Sequence, residues 1–213
     1  MLASLAEPDL PLSEGLADAL EQVAHLHPRC DLRNPGTPSA TVAVLRRRYE
    51  VLDHLVLADS PIVLATNADF TVLTDLRVDT VLPEMRAEVE QHETHTPGHR
   101  EALQRLVLAQ RQLRNTADGY WVAAGDSRAA AHAQTGSTPL KEVRDAAVMS
   151  DGVSRLVTEY QTASWDDVFT TLRSKGPRRL IQDVRETEAT DPTGRRWPRY
   201  KSGDDATVAY CQW

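Results

Sequence analysis

The sequence is poor in cysteine and in aromatic residues and has no long apolar run, and each scarcity removes a class of protein. Cys30 and Cys211 are the only cysteines in 213 residues. They lie far apart and outside any Cys-x-x-Cys spacing, so neither a disulfide framework nor a cysteine-ligated zinc site is indicated, and a reducing, cytoplasmic setting fits best. Aromatic residues make up 5% of the chain, so a core has to be built from Leu, Val and Ala. No stretch approaches the ~20 apolar residues of a membrane span, and the N-terminus lacks the basic start and apolar centre of a signal peptide. No membrane partner is expected. Positive charge is not in excess either. With 24 Lys and Arg against 31 Asp and Glu the formal charge is −7, which gives no global field to draw in nucleic acid. Cations are the better-matched partners.

The chain has a normal hydrophobic content, 41%, and a length that suits one domain over 1–213. Residues 1–12 read as a mobile leader. Ser13 then offers an N-cap, and Leu16, Leu20, Val23 and Leu26 recur at helical spacing until Pro28. Four short apolar or β-branched runs follow, at 36–48, 50–60, 61–67 and 69–75, with turn residues between them. They predict an antiparallel meander. From Pro83 to Asn115 the pattern is helical and charged, with one break at Thr96, Pro97 and Gly98, which predicts two helices. "GYWVAA" (119–124) reads as a strand, "SRAAAHAQ" (127–134) as a short helix, "DAAVMSD" (145–151) as a buried strand with a helix behind it. Trp165 to Asp191 gives one helix, or two parted at Gly176 and Pro177, and "ATVAYCQW" (206–213) a closing strand. Strands come in runs instead of alternating with helices, which favours an α+β fold with antiparallel sheet.

Two acidic positions stand out. Asp151 and Gly152, in "VMSDGVSRL", fall where a buried strand gives way to helix. There a carboxylate can project from a sheet end and a glycine lets the backbone turn, although Asp151 also reads as a helix cap. Asp204 and Asp205, in "KSGDDATVAY", precede the last strand. Aspartates at strand ends suit hard, oxygen-seeking ions such as Mg²⁺ or Mn²⁺, and solvated turn residues equally.

Taken in order, "GTPSATVAVL", "LVLADSPIVLATNADFTVLTD", "VMSDGVSRL" and "GDDATVAY" resemble successive segments of the metal-dependent protein phosphatase 2C family. The resemblance implies an antiparallel β-sandwich flanked by helices, with two Mn²⁺ or Mg²⁺ ions at one end. It implies hydrolysis of phosphoserine or phosphothreonine in a phosphoprotein, by a water that the ions activate. Asp151 and Asp204 would be metal ligands by the same resemblance, with Gly152 and Asp205 beside the metal. Asp59 would help to hold a further ion, although Ala58 and Pro61 stand where that motif has Gly and Arg. The chain starts at about the family's first long helix, and the acidic strands that precede that helix have no counterpart, so the fold is expected to be N-terminally incomplete. Two carboxylates against four positive charges would leave a two-ion centre under-ligated, so one weakly held, largely hydrated ion or none is expected here. Two functions therefore follow, a phosphatase or a catalytically impaired protein-binding module. Uncovered sheet is expected to favour self-association.

Other constellations carry less. Arg195, Arg196, Arg199 and Lys201 precede Asp204; Arg199 and Lys201 are candidates to grip a substrate phosphate, against the reading of a solvated loop. His92, Glu93, His95 and His99 lack the i, i+4 spacing of a zinc helix, and Pro97 interrupts them. A literal Gly-Asp-Ser-Arg at Gly125 to Arg128 lacks a following strand and reads as a helix start capped by Asp126 or Ser127.

Overall fold

A computed structural model of the chain describes residues 2–31 and 34–213. Alternation along three strands explains its layering. In β2 (Val51–Leu57), Leu52 and Val56 face one way and Leu55 and Leu57 the other; in β3 (Ile62–Thr66), Ile62 and Leu64 oppose Val63 and Ala65; in β6 (Val143–Met149), Ala146 opposes Ala147 and Met149. Successive side chains point to opposite faces, and here both faces are covered, which is why these strands read as nearly continuous apolar runs.

The inner faces meet in a cluster of Leu52, Val56, Ile62, Leu64, Val143 and Ala146. One sheet has the order β1-β2-β5, with β1 Val42–Arg48 and β5 Gln134–Pro139; the other has the order β4-β3-β6-β7, with β4 Phe70–Leu73 and β7 Val208–Gln212. Every pairing is antiparallel. Helix α2 (Leu12–Leu26) lays Leu12, Leu16 and Leu20 on the outer face of the first sheet. Helices α6 (Asp151–Thr158), α7 (Trp165–Lys175) and α8 (Pro177–Ala189) cover the second, through Val153, Leu156, Val168, Phe169, Leu172, Leu180 and Val184. Helices α3 (Arg77–Thr80), α4 (Pro83–Glu90) and α5 (Pro97–Leu113) fill the crossover between the sheets in the chain. The architecture is the expected α+β sandwich flanked by helices. Among the described residues no helix is long and apolar enough to cross a membrane.

Several expectations are corrected. The leader folds back: α1 (Leu2–Ala6) packs on α2, and Arg46 Nη1 donates to the carbonyls of Leu5, Glu7 and Leu10. Helix α2 starts one residue before Ser13, at Leu12, and Ser13 does not cap it; Pro11 holds the N-cap position without a side-chain bond. The four runs form two hairpins in different sheets instead of one meander, because the chain crosses from β2 to β3 at Ala58, which takes a positive φ of 71°. "GYWVAA" forms only isolated bridges, Arg114 with Tyr120 and Ala40 with Ala123. Strand β5 was not expected: its sequence, QTGSTP, has no apolar side to read. It exists because β2 has a free flank, and Gly136 lets it pass His54, whose Nε2 would lie 2.6 Å from an added Cβ.

Candidate functional site

Met149 pairs with Val208, so the end of β6 lies beside the start of β7. The turn before β7 is thereby brought against the first turn of α6. Ser150 fastens the two. Its Oγ–H donates to the Asp205 carbonyl at 2.8 Å and accepts from the Thr207 N–H at 3.1 Å, and its own N–H donates to the Thr207 carbonyl at 3.0 Å. Asp151 is thus the first residue of the helix, and Ser150 occupies the N-cap position.

Gly152 answers to closeness, not to turning. Its φ is not positive, but a Cβ on it would fall 2.4 Å from the Asp205 carbonyl oxygen and 3.3 Å from Asp204 Cβ. Only a residue without a side chain allows the two backbones to approach so far.

One turn along α6 from Asp151 stands Arg155, 9% exposed. Its Nη2–H donates to Asp151 Oδ2 at 3.1 Å. Its Nη1 lies 3.1 Å from Asp204 Oδ2 and its Nε 3.2 Å from Glu159 Oε1. These last two have contact distance without hydrogen-bond geometry, so they act as charge contacts. Burial works against the Arg155 charge, yet the carboxylates of Glu159, Asp151 and Asp204 outweigh it and hold the guanidinium protonated. Asp204 also accepts from Lys201 Nζ at 2.8 Å. Burial would raise the Asp204 carboxyl, but Lys201 and Arg155 hold it below the usual carboxylate range. Asp151 is shifted the other way, upward, by burial and by Asp204. Asp59, just past β2, joins this end of the molecule: burial first, and then the neighbouring Asp151 charge, push its carboxyl up to about 6.

Arg155 thus links Asp151 to Asp204, Asp205 and Gly152 lie where the two backbones meet, and Asp59 is near enough to feel the Asp151 charge. Arg155 was not anticipated as a site residue. Its signal was legible: Asp151, Arg155 and Glu159 recur at i, i+4 and i+8 on one helix face, with alternating sign.

These residues do not fit the two-ion centre that the fold implies. Asp151 and Asp204 each already hold a cationic side chain, and among the described residues no three His, Cys, Asp or Glu come together as a metal-ligand group. The remaining candidates separate. Lys201 is at the site, with its side chain 59% exposed. Arg199 is buried and bound elsewhere: Nη1 donates to Asp191 Oδ2 at 2.9 Å and to the Trp197 carbonyl at 3.1 Å, Nε to the Ser202 carbonyl at 3.2 Å, and Nη2 to the Asp191 carbonyl. It braces the loop from Thr190 to Asp204 instead of facing a ligand. His99 serves the same loop, its Nε2 lying 3.0 Å from the Arg199 carbonyl oxygen. Arg195 pairs with Glu93. Asp126 caps the turn Ser127–His132 by accepting from the Arg128 N–H, as expected of the literal Gly-Asp-Ser-Arg.

No protein-family model matches the sequence and no curated protein matches it, but solved structures do. A bacterial serine phosphatase aligns over 92% of this chain and 66% of its own, with a TM-score of 0.51 at 13% identity. The serine-threonine phosphatase 2C of Toxoplasma gondii aligns over 98% and 73%, with a TM-score of 0.52 at 12% identity. The Mycobacterium tuberculosis serine/threonine phosphatase PstP/Ppp aligns over 97% and 77%, with a TM-score of 0.50 at 16% identity. The chain thus spans just under two thirds of the first of these proteins. With its two antiparallel sheets between helical layers, it has the fold of the phosphatase 2C-type serine/threonine phosphatases.

Proposed function

We propose that this chain is a phosphatase-fold module that binds a phosphoprotein without hydrolysing it. The observation that supports this is the pairing of both candidate ligands with the chain's own cations: Asp151 with Arg155, and Asp204 with Arg155 and Lys201. Carboxylates neutralised in this way have little left to offer a divalent ion. The class of partner is inferred from the fold shared with serine/threonine phosphatases, and Lys201, half out of the site, is the group that would meet a phosphate.

A second reading, metal-dependent hydrolysis with Mn²⁺ or Mg²⁺, is favoured by one observation. The Asp151 charge adds to burial in disfavouring an ionised Asp59, a cost that a divalent ion would relieve. Titration of a phosphothreonine peptide in EDTA, alongside phosphate release in Mn²⁺, decides between them. Binding in EDTA with no release supports the binding module. Release that needs Mn²⁺ and disappears in Asp151→Asn establishes the phosphatase instead.

A further inference from the structure

We propose that the cleft between the C-terminal turn of α5 and the turn at Gly125–Arg128 is a phosphate site, with Arg111 and Arg114 as its cationic ligands. The inference goes beyond the reading above and does not depend on it, since the cleft shares no residue with Asp59, Asp151, Arg155, Lys201 or Asp204. Its volume is about 540 Å³, and its walls carry three arginines, Arg111, Arg114 and Arg128, against one acid, Asp126. In a chain whose formal charge is −7, this wall has the opposite sign.

Which groups are already bonded decides what the cleft accepts. Asp126 takes both Nε and Nη2 of Arg128, so that pair is closed on itself. The acceptor oxygens of the two wall amides are used as well: Asn34 Oδ1 accepts from the Gly36 N–H at 2.7 Å and Asn115 Oδ1 from the Val122 N–H at 2.8 Å. These bonds fix the amide orientations and leave both Nδ2 groups without a partner among the described residues. Arg114 is half-buried; its Nη1 donates to the Thr37 carbonyl at 2.6 Å, while its Nε is buried and unbonded. Arg111 is exposed and pairs with nothing among the described residues. A helix C-terminus attracts basic residues through its dipole alone. Here, however, the carbonyl of the last residue, Leu113, already accepts from Thr116 Oγ1 and from the Tyr120 N–H, and Arg114 turns away from it to Thr37. The free side-chain groups are thus all donors, two of them charged. Phosphate is the complement of such a wall: a dianion with several acceptor oxygens, which arginine grips through parallel N–H bonds. The cleft is also large enough for the group that carries the phosphate.

The test is calorimetric titration of the full chain in EDTA with inorganic phosphate, a phosphothreonine peptide and the same peptide unphosphorylated, for wild type, Arg111→Gln, Arg114→Gln and Lys201→Gln. Ionic strength is held constant, because exposed guanidinium groups are screened by salt. Wild type should bind phosphate and the phosphopeptide but not the plain peptide. Arg111→Gln and Arg114→Gln should each weaken phosphate binding ~10-fold, the effect of one charge-assisted contact, and Lys201→Gln should leave it unchanged. Arg114→Gln also gives up the Thr37 bond, whereas Arg111→Gln breaks no contact and should melt with wild type, so it decides the outcome. Phosphate binding that depends on Arg111, without peptide binding, upholds the site and assigns it to a small phosphorylated ligand. The proposal is overturned if wild type binds no phosphate, or if Arg111→Gln binds it as tightly as wild type. Phosphopeptide binding that only Lys201→Gln removes would overturn this site and leave the binding-module reading standing.

Discussion

Replacing Gly152 by Ala sets two effects of opposite sign against each other. In a helix, Ala is favoured over Gly by ~0.5–1 kcal/mol, because it has less backbone freedom to lose. At this position the new methyl would lie 2.4 Å from the Asp205 carbonyl oxygen, a backbone atom that cannot swing aside. Ordinary contact requires about 1 Å more, so α6 and the turn before β7 must part. Overpacking of this kind costs ~1–3 kcal/mol. The Ser150 bonds to Asp205 and Thr207, each contributing ~1 kcal/mol, stretch in the same movement. The clash wins, with a net loss of ~1–4 kcal/mol and a melting temperature lower by ~2–16 °C. Thermal unfolding followed by circular dichroism measures it, with Gly203→Ala as comparator. There the nearest atom, at 3.1 Å, is the end of the Glu188 side chain, which can yield, so the change should stay within ~1 kcal/mol. A Gly152→Ala protein as stable as wild type, or more so, refutes the close-approach argument.

Three further outcomes are expected. Asp145, 2% exposed, accepts from Arg173 at 2.9 and 2.7 Å and from the Tyr210 hydroxyl at 2.6 Å; burial alone would raise its carboxyl, but these donors hold it below the usual range. Since its folded pKa is depressed, the stability it contributes is present above its unfolded pKa of ~3.9 and is lost as pH falls through the folded value. Asp145→Asn should cost ~1–3 kcal/mol at pH 7 and flatten the acid side of the stability curve; a parallel, unflattened curve contradicts the assignment. Arg199→Ala should lower stability by ~3–5 kcal/mol by leaving buried Asp191 without its cation, held by the Arg195 and Trp197 N–H groups. Unchanged melting together with lost phosphopeptide binding would return Arg199 to the role of a phosphate ligand. Asp59→Asn should raise the melting temperature at pH 7 by a few degrees, because it removes a half-buried charge crowded by Asp151; a decrease would show that Asp59 has a stabilising partner.

The sheet interior was legible because its constraint is local. Runs such as 50–57 and 61–66 alternate sides in a period of two and are apolar on both, and Gly176 with Pro177 marks the junction of α7 and α8, where Gly176 takes a φ of 78°. What escaped depends on partners distant in the chain. The polar segment Gln134–Pro139 becomes a strand only because β2 offers it an edge, while the more apolar "GYWVAA" finds bridges alone. At the site, Asp151 and Asp204 could be picked out singly, since each follows or precedes an apolar run, whereas Asp59 came only from the family resemblance. That a neighbouring arginine sits among them needed the helix phase of Asp151, Arg155 and Glu159 together with the antiparallel pairing that delivers Asp204. Arg199 misled for the complementary reason: a basic loop looks solvated until Asp191 is seen to fold over it.

Because the Ser150 N–H bond to the Thr207 carbonyl and the Gly152 approach join main chain to main chain, the separation of the Asp151 and Asp204 backbones is set by the sandwich and not by the rotamers of either aspartate. Geometry and charge are therefore independent variables here. An exchange at position 155 would change what balances the carboxylates while these backbone contacts remain. A scaffold of that kind can keep its backbone while point substitutions alter the balance of charge at its end.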